Sequence, residues 1–445
     1  MSHWLIRNAR LIDSGRRFEA DLRIEGERIA AIGANLTARP GEQVFDAAGR
    51  TLLPGLIDDQ VHFREPGLEH KGSLGTESRA AVAGGITSFM EMPNTNPQTT
   101  TLAALEDKYA RAARSALANH AFYLGATNSN LEQIKRLAPG QACGVKIFMG
   151  ASTGDMLVDN PDTLDGIFRD SPTIIATHCE DTPTIQANTA AFKTEGALRI
   201  EQHPLIRSRE ACIKSTRLAQ QLARRHDARL HVLHITTADE VALFEPGPVD
   251  GKRITAETCV HFLHFDADDY PAHGNLIKCN PAIKSAADRE AIVRGVAEGR
   301  LSILATDHAP HTLEEKSQPY ERAAAGLPLV QHALQCALER CFDAQLEIET
   351  VVERFCHAPA RLFGVAERGY LREGWFADLV LVDLDGGETV ERARELAKVG
   401  WSPFEGHRFR SRIVATWVNG HLAWDGERID DSQLGQRLTI TRGRD

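Results

Sequence analysis

Ile174-Ile175-Ala176-Thr177-His178 is a short apolar run that stops at a histidine. The figure recurs through the middle of the chain. Leu56-Ile57-Asp58-Asp59-Gln60-Val61-His62 and His231-Val232-Leu233-His234 also end in His, Ile303-Leu304-Ala305-Thr306-Asp307 ends in Asp, and Val145-Lys146-Ile147-Phe148 carries an isolated Lys. Runs of this length, rich in Val and Ile, read as buried strands. The full series of candidate strands is Leu56 to His62, Ile86 to Met92, Ala121 to Ala126, Gly144 to Met149, Thr173 to His178, Leu230 to His234, Arg253 to Cys259 and Leu301 to Asp307. Amphipathic helical stretches, such as Leu102 to Ala118 and Ser208 to His226, separate several of them. Strands alternating with helices predict a (β/α)8 TIM-like barrel, an α/β fold. Strands covered on both faces explain runs that are nearly continuous in apolar residues rather than alternating.

The flanks read differently. Trp4-Leu5-Ile6, Leu11-Ile12, Asp21 to Ile24 and Arg28 to Gly33 are short strand-like bursts separated by Asp13-Ser14-Gly15 and Glu25-Gly26-Glu27. Ala377 to Asp383 and Ile413 to Val418 repeat the style, and Asn419-Gly420 is a hairpin turn signal before His421 to Trp424. The expected organisation is therefore residues 1–54 and 365–445 as the two parts of a small β-sandwich, with the barrel over 55–364.

Composition narrows the function classes. The 445 residues carry a formal net charge of −10, which argues against a sequence-independent grip on nucleic acid. No apolar stretch approaches the length of a membrane span, and the N-terminus has no long apolar core. The eight Cys include no CxxC pair. These features fit a reduced, cytoplasmic protein without disulfides, acting on a small molecule. No solenoid repeat or low-complexity tract is present.

In a barrel the C-terminal strand ends converge on the active-site face. Taken singly, a His at a strand end is more often a hydrogen-bonded structural residue than a ligand, and Lys146 alone reads as a snorkelling or ion-paired lysine. Taken together, His62, Lys146, His178, His234 and Asp307 are a polar cluster that something must organise, and a divalent metal does so.

Pro54-Gly55-Leu56-Ile57-Asp58, Val61-His62-Phe63-Arg64-Glu65-Pro66-Gly67, Met92-Pro93-Asn94-Thr95-Asn96-Pro97, Gly144-Val145-Lys146 and Ala305-Thr306-Asp307-His308-Ala309-Pro310-His311 resemble the motifs of the dihydroorotases, cyclic amide hydrolases of the amidohydrolase superfamily. Glu257-Thr258-Cys259-Val260-His261 and Cys279-Asn280-Pro281 fit as well. The likeness covers almost the whole chain, although allantoinases and hydantoinases share the metal ligands. It implies a metal centre of one or two zinc ions per chain: His62 and Asp307 on the first, His178 and His234 on the second, and Lys146 bridging as a carbamate made with carbon dioxide. Asp307 would be the catalytic proton carrier. Arg64, Asn94 and His311 would hold the substrate carboxylate and Asn280 the ring amide, with His261 and His308 in supporting roles. Arg64 suits a carboxylate because its planar fork donates two parallel hydrogen bonds. The plainer readings are an ion pair of Arg64 with Glu65 or Asp58, turn or loop positions for Asn94 and Asn280, and a helix-start position for His311. The implied reaction interconverts N-carbamoyl-L-aspartate and L-dihydroorotate in de novo pyrimidine biosynthesis, in a cytoplasmic homodimer.

One departure stands out. The superfamily's first strand usually carries His-x-His, and here it is Gln60-Val61-His62. A neutral amide oxygen is a poorer zinc ligand than imidazole, so the first position should bind metal more weakly than the second. Two other readings stay open: an allantoinase or hydantoinase, and a catalytically dead dihydroorotase-like subunit serving assembly. A metal-free sugar-metabolising barrel would need paired carboxylates at the mouth, and no convincing pair is found.

Overall fold

A computed structural model describes residues 3–150, 156–194 and 196–441. The chain starts with β1 (His3–Asp13) and β2 (Arg16–Glu25), which pair antiparallel from His3 opposite Glu25 to Asp13 opposite Arg16. Their two-residue turn, Ser14-Gly15, has φ of 50° and 72°, the left-handed geometry that matches the twist of the flanking strands. β3 (Arg28–Gly33) extends the sheet antiparallel to β2, while β4 (Gln43–Asp46) and β5 (Thr51–Pro54) run parallel to β1.

The chain then enters the barrel. Its strands are β6 (Leu56–Val61), β7 (Ile86–Glu91), β8 (Asn119–Phe122), β9 (Leu124–Gly125), β10 (Val145–Phe148), β11 (Ile175–His178), β12 (Leu230–Val232), β13 (Ile254–Cys259) and β14 (Ile303–Ala305). All pairings among them are parallel. β8 and β9 flank Tyr123 and act as one barrel strand, the first half bonded to β7 and the second to β10. Eight strand positions result, as the sequence predicts. The ring closes between its first and last members. His62 N donates to His308 O (2.7 Å), and the Asp58 carboxylate accepts from Thr306 N (3.1 Å) and Thr306 Oγ1 (2.6 Å). Nearly every strand residue is buried, the signature of strands covered on both faces.

The last strands return to the first sheet. They are β15 (Leu379–Asp383), the small hairpin β16 (Glu388–Thr389) and β17 (Arg408–Phe409), then β18 (Arg412–Val418) and β19 (His421–Trp424). The order β19-β18-β15-β5-β1-β2-β3, with β4 beside β1, joins both ends of the chain in one eight-stranded sheet. Asn419-Gly420 makes the β18–β19 turn with φ of 49° and 75°. Leu11, Leu22, Leu52, Leu379, Leu381 and Trp417 are fully buried in the apolar cluster of this sheet.

Two helices show how far periodicity reads true. Arg209–His226 forms as predicted, with Ser208 accepting from Ala211 N as its N-cap, a contact that stabilises by about 1 kcal/mol. Leu102–Ala112 is shorter than predicted. The segment after it leaves the helix because Leu117 N donates to Ser78 Oγ (2.9 Å) and the chain goes straight into β8. No helix among the described residues is long and apolar enough to cross a membrane. All eight cysteines carry free thiols.

Candidate active site

The predicted site residues come from seven barrel strands and the loops after them, and they meet. Gln60, His62, Arg64, Asn94, Lys146, His178, His234, Asn280 and Asp307 line one cavity at the C-terminal mouth of the barrel. His311 stands behind Arg64, its Nε2 3.0 Å from Arg64 Nη2. The backbone is bent to aim these groups: Arg64, His234 and Asp307 have φ of 78°, 42° and 51°. Non-glycine residues in that region cost on the order of 1–3 kcal/mol each, and such strain concentrates at working sites.

One wall is a hydrogen-bonded string. His62 Nδ1 lies 2.7 Å from Asn94 Oδ1 and His62 Nε2 lies 3.1 Å from Asp307 Oδ1. Gln60 Nε2 donates to the same Asp307 oxygen (3.1 Å), and Cys259 Sγ faces Gln60 Oε1 at 3.8 Å. The plain turn role for Asn94 is therefore incomplete, because its side chain orients an imidazole.

The opposite wall is differently made. His178 Nδ1 and His234 Nε2 face each other at 2.9 Å. His178 Nε2 is 3.0 Å from Glu180 Oε2, and Arg207 contacts the same carboxylate oxygen. Burial pushes the Glu180 carboxyl up, but Arg207 and His178 hold it down, to about 2. An ionised Glu180 accepts from Nε2–H of His178 and leaves Nδ1 as a lone pair pointing at His234. The buried His234 Nδ1 has no hydrogen-bond partner.

Lys146 Nζ makes no hydrogen bond or ion pair with any described residue, and sits 4.7 Å from the centre of the Phe148 ring. Burial lowers its pKa to about 8, so about a tenth is neutral amine at pH 7, far more than for an exposed lysine. Arg64 is buried as well. Its Nε donates to Pro310 O (3.1 Å), and burial lowers its pKa to about 10. Neither suggested ion-pair partner is used: Glu65 accepts from Leu74 N (3.0 Å) and approaches Arg111, while Asp58 serves Thr306. A buried guanidinium with no carboxylate partner among the described residues is a ready anion site. His311 is wedged between Arg64, Lys71 Nζ (3.2 Å from its Nδ1) and Ala325 O, and burial followed by Arg64 depresses its pKa to about 3. Asn280 Oδ1 is a buried acceptor without a partner.

His308 is a seam residue. Its Nε2 lies 2.8 Å from Glu77 Oε2, and its Nδ1 accepts from Leu329 N and Val330 N. His261 is fully buried against Phe262. Sequence reasoning missed Glu180, two residues past a predicted ligand, and its partner Arg207. It also missed Phe148 and Gly326 in the cavity wall. Gly326 has φ of 145°, and a Cβ there would stand 2.5 Å from Ala309 O and 3.0 Å from His311 Cδ2.

The donor set fits a divalent cation. The buried His234 Nδ1, Glu180 Oε1 and Asn280 Oδ1 have no hydrogen-bond partner, each at a cost of about 1–3 kcal/mol, and Lys146 Nζ is likewise without one among the described residues. Imidazole and carboxylate are ordinary ligands of zinc and its neighbours, and a carboxylate behind a ligating imidazole, as Glu180 stands behind His178, orients it and raises its basicity.

Comparison with known proteins agrees with this chemistry. The sequence profile of the amidohydrolase family matches residues 51–423. A dihydroorotase of Halobacterium salinarum is 34% identical over 96% of this chain and 97% of its own length. An allantoinase of Bacillus velezensis is 30% identical over 98% of this chain and 97% of its own. The structure of an L-hydantoinase from Arthrobacter aurescens superposes with a TM-score of 0.92 at 28% identity, covering 99% of this chain and 100% of that one.

Proposed function

Because this chain belongs to the amidohydrolase family and is a metal-dependent cyclic amide hydrolase, we propose that its reaction is the reversible closure of N-carbamoyl-L-aspartate to L-dihydroorotate and water. The observation that carries the substrate assignment is Arg64. It is a buried guanidinium with no carboxylate partner among the described residues, backed by His311, on the cavity wall that also holds Asn94. Dihydroorotate carries an exocyclic carboxylate that such a fork would bind in two parallel bonds.

His62, Asp307, His178 and His234 would hold the metal, zinc by ligand type, together with Lys146 as its carbamate. A lysine with a lowered pKa supplies the neutral amine that adds carbon dioxide, and the product is an anion where an ammonium would repel a cation. When bound, the metal supplies Lewis acidity and an activated water at neutral pH. Asp307 takes the proton of the attacking water and passes it to the leaving ring nitrogen. In the ring-closing direction the carbamoyl nitrogen attacks the side-chain carboxyl carbon and gives its proton to Asp307, which returns it to the departing carboxyl oxygen; with one further proton from solvent that oxygen leaves as water. Asn280 accepts from the ring amide through its unpartnered oxygen, and Arg64 with Asn94 and His311 fixes the α-carboxylate. Gln60 is engaged with Asp307 and holds that carboxylate in line.

Side-by-side assay of dihydroorotate, allantoin and hydantoin tests the substrate, with and without chelator. Turnover of dihydroorotate alone, abolished by chelation, is expected. Preference for allantoin or hydantoin would reassign the substrate, and a metal-free, inactive preparation would favour the non-catalytic assembly role.

A further inference from the structure

A second polar cluster lies deeper in the barrel. Asp59 on β6, His231 on β12 and Glu257 on β13 are fully buried, and none of the three lines the cavity. One potential ligand atom from each lies within 4.8 Å of the other two. His231 Nε2 is 3.1 Å from Glu257 Oε2 and 3.3 Å from Asp59 Oδ2. The reaction proposed above uses none of these groups.

Donor accounting shows what is short. Asp58, the adjacent carboxylate, accepts from Thr306 N (3.1 Å), Thr306 Oγ1 (2.6 Å) and Gln60 N (3.3 Å). Neither carboxylate oxygen of Asp59 accepts a hydrogen bond. Glu257 uses Oε1 to accept from His234 N (3.3 Å) and turns Oε2 to the cluster. His231 Nδ1 is 2.8 Å from Thr255 Oγ1, whose own proton goes to Leu230 O (3.3 Å). Thr255 therefore accepts from Nδ1–H, and in the neutral imidazole the Nε2 lone pair points at the two carboxylates. With both acids ionised, three lone-pair atoms from three strands then converge with no donor among them, which is unfavourable in a dry interior unless a cation sits between them; without one, burial and Asp59 push the Glu257 carboxyl up toward its protonated form.

The spacing fits such a cation. A tetrahedral ion with bonds of about 2.0–2.1 Å has ligand-to-ligand edges of about 3.3–3.4 Å, and two of the separations here are 3.1 and 3.3 Å. An imidazole whose second nitrogen is anchored by the protein is the usual state of a metal-ligating histidine. We propose that Asp59, His231 and Glu257 hold a structural divalent ion of the zinc class, distinct from the metal of the cavity. Two carboxylates neutralise its charge. The ion ties β6, β12 and β13 together across the barrel and, through Glu257 Oε1, steadies the backbone of His234. The competing occupant is a proton, held by Glu257 as a carboxylic acid beside Asp59, since burial and Asp59 raise the Glu257 pKa.

Anomalous diffraction decides between them, on crystals of the full chain expressed and purified in zinc-supplemented medium. Data on either side of the zinc edge should show a peak within about 2.2 Å of all three side chains, separate from any peak in the cavity. Density for the three side chains with no anomalous peak between them overturns the proposal and assigns the proton. The cavity peak and the substrate assays report on the proposed reaction, so the two readings fail independently. As a second readout, Glu257→Gln should lower zinc content by one equivalent per chain in elemental analysis and reduce Tm. An unchanged zinc content also overturns the site. If that variant does not fold, diffraction from the unaltered chain still distinguishes the ion from the proton.

Discussion

The two walls of the cavity are built from similar residues and differ in what they leave undone. The His62 wall satisfies itself, because Asn94, His62, Asp307 and Gln60 form an unbroken hydrogen-bonded string. The His178 wall does not: Glu180 fixes the His178 Nδ1 lone pair inward, where it accepts from His234 Nε2 at 2.9 Å, and the buried His234 Nδ1 is left without a partner. Metal affinity depends on what the ligands lose by leaving their other partners. A cation at the His178 wall displaces one hydrogen bond, between the two imidazoles, while at the His62 wall it competes with two hydrogen bonds to one Asp307 oxygen. On the proposed ligand set, Gln60 would therefore weaken the first position twice, by standing where an imidazole would bind and by competing for Asp307.

Lys146 would serve both walls, so its loss is the largest effect expected. Lys146→Ala should lower kcat at least about 1000-fold, roughly 4 kcal/mol, with metal lost from both walls, and a short-chain carboxylic acid should restore part of each. Normal metal content in this variant would mean that the walls bind independently of the lysine. Arg64→Lys separates substrate binding from the metal. KM should rise about 10- to 150-fold, the range for losing a hydrogen bond of about 1.5–3 kcal/mol to a charged group, with metal content unchanged; an unaltered KM places the carboxylate elsewhere. Gln60→His should narrow the difference between the walls. Calorimetric titration of the native protein should show two unequal sites, and in the variant the weaker should gain about tenfold, about 1.4 kcal/mol. Two equally tight sites in the native protein would erase the contrast. The smallest effect is an absence of titration. Burial and Arg64 hold the His311 imidazole down to about 3, so it stays neutral from pH 5 to 8. KM should be flat across that window, whereas a KM that climbs as pH passes about 6.5 would mean that a protonated His311 binds the carboxylate.

Much of this is legible in the chain because barrel strands are covered on both faces. A histidine or aspartate ending such a run breaks a purely apolar pattern, and His62, His178, His234 and Asp307 each announce themselves that way. Lys146 does so from mid-strand. What stays hidden acts through space. Glu180 gains its meaning from Arg207 and from the ring two residues before it, although a carboxylate two positions past a candidate ligand is a usable signal. Gly326 matters only because Ala309 and His311 crowd it, and periodicity has no way to see that. The helix that starts at Leu102 ends earlier than its periodicity predicts for the same reason: its end is set by Ser78, far away in sequence. The paired acids Asp58-Asp59 look alike in the sequence, yet one is saturated with donors and the other has none.

The seam that closes the barrel has a consequence for how the protein comes into being. Asp58 and Thr306 are 248 residues apart, and His62 meets Asp307 across the same junction. Contacts that span so much chain are slow to form, because loop entropy must be overcome before they contribute. On a ribosome the first strand must therefore wait for most of the polypeptide to emerge before its last neighbour exists. Catalytic competence should be the last property acquired in refolding, trailing recovery of helical signal.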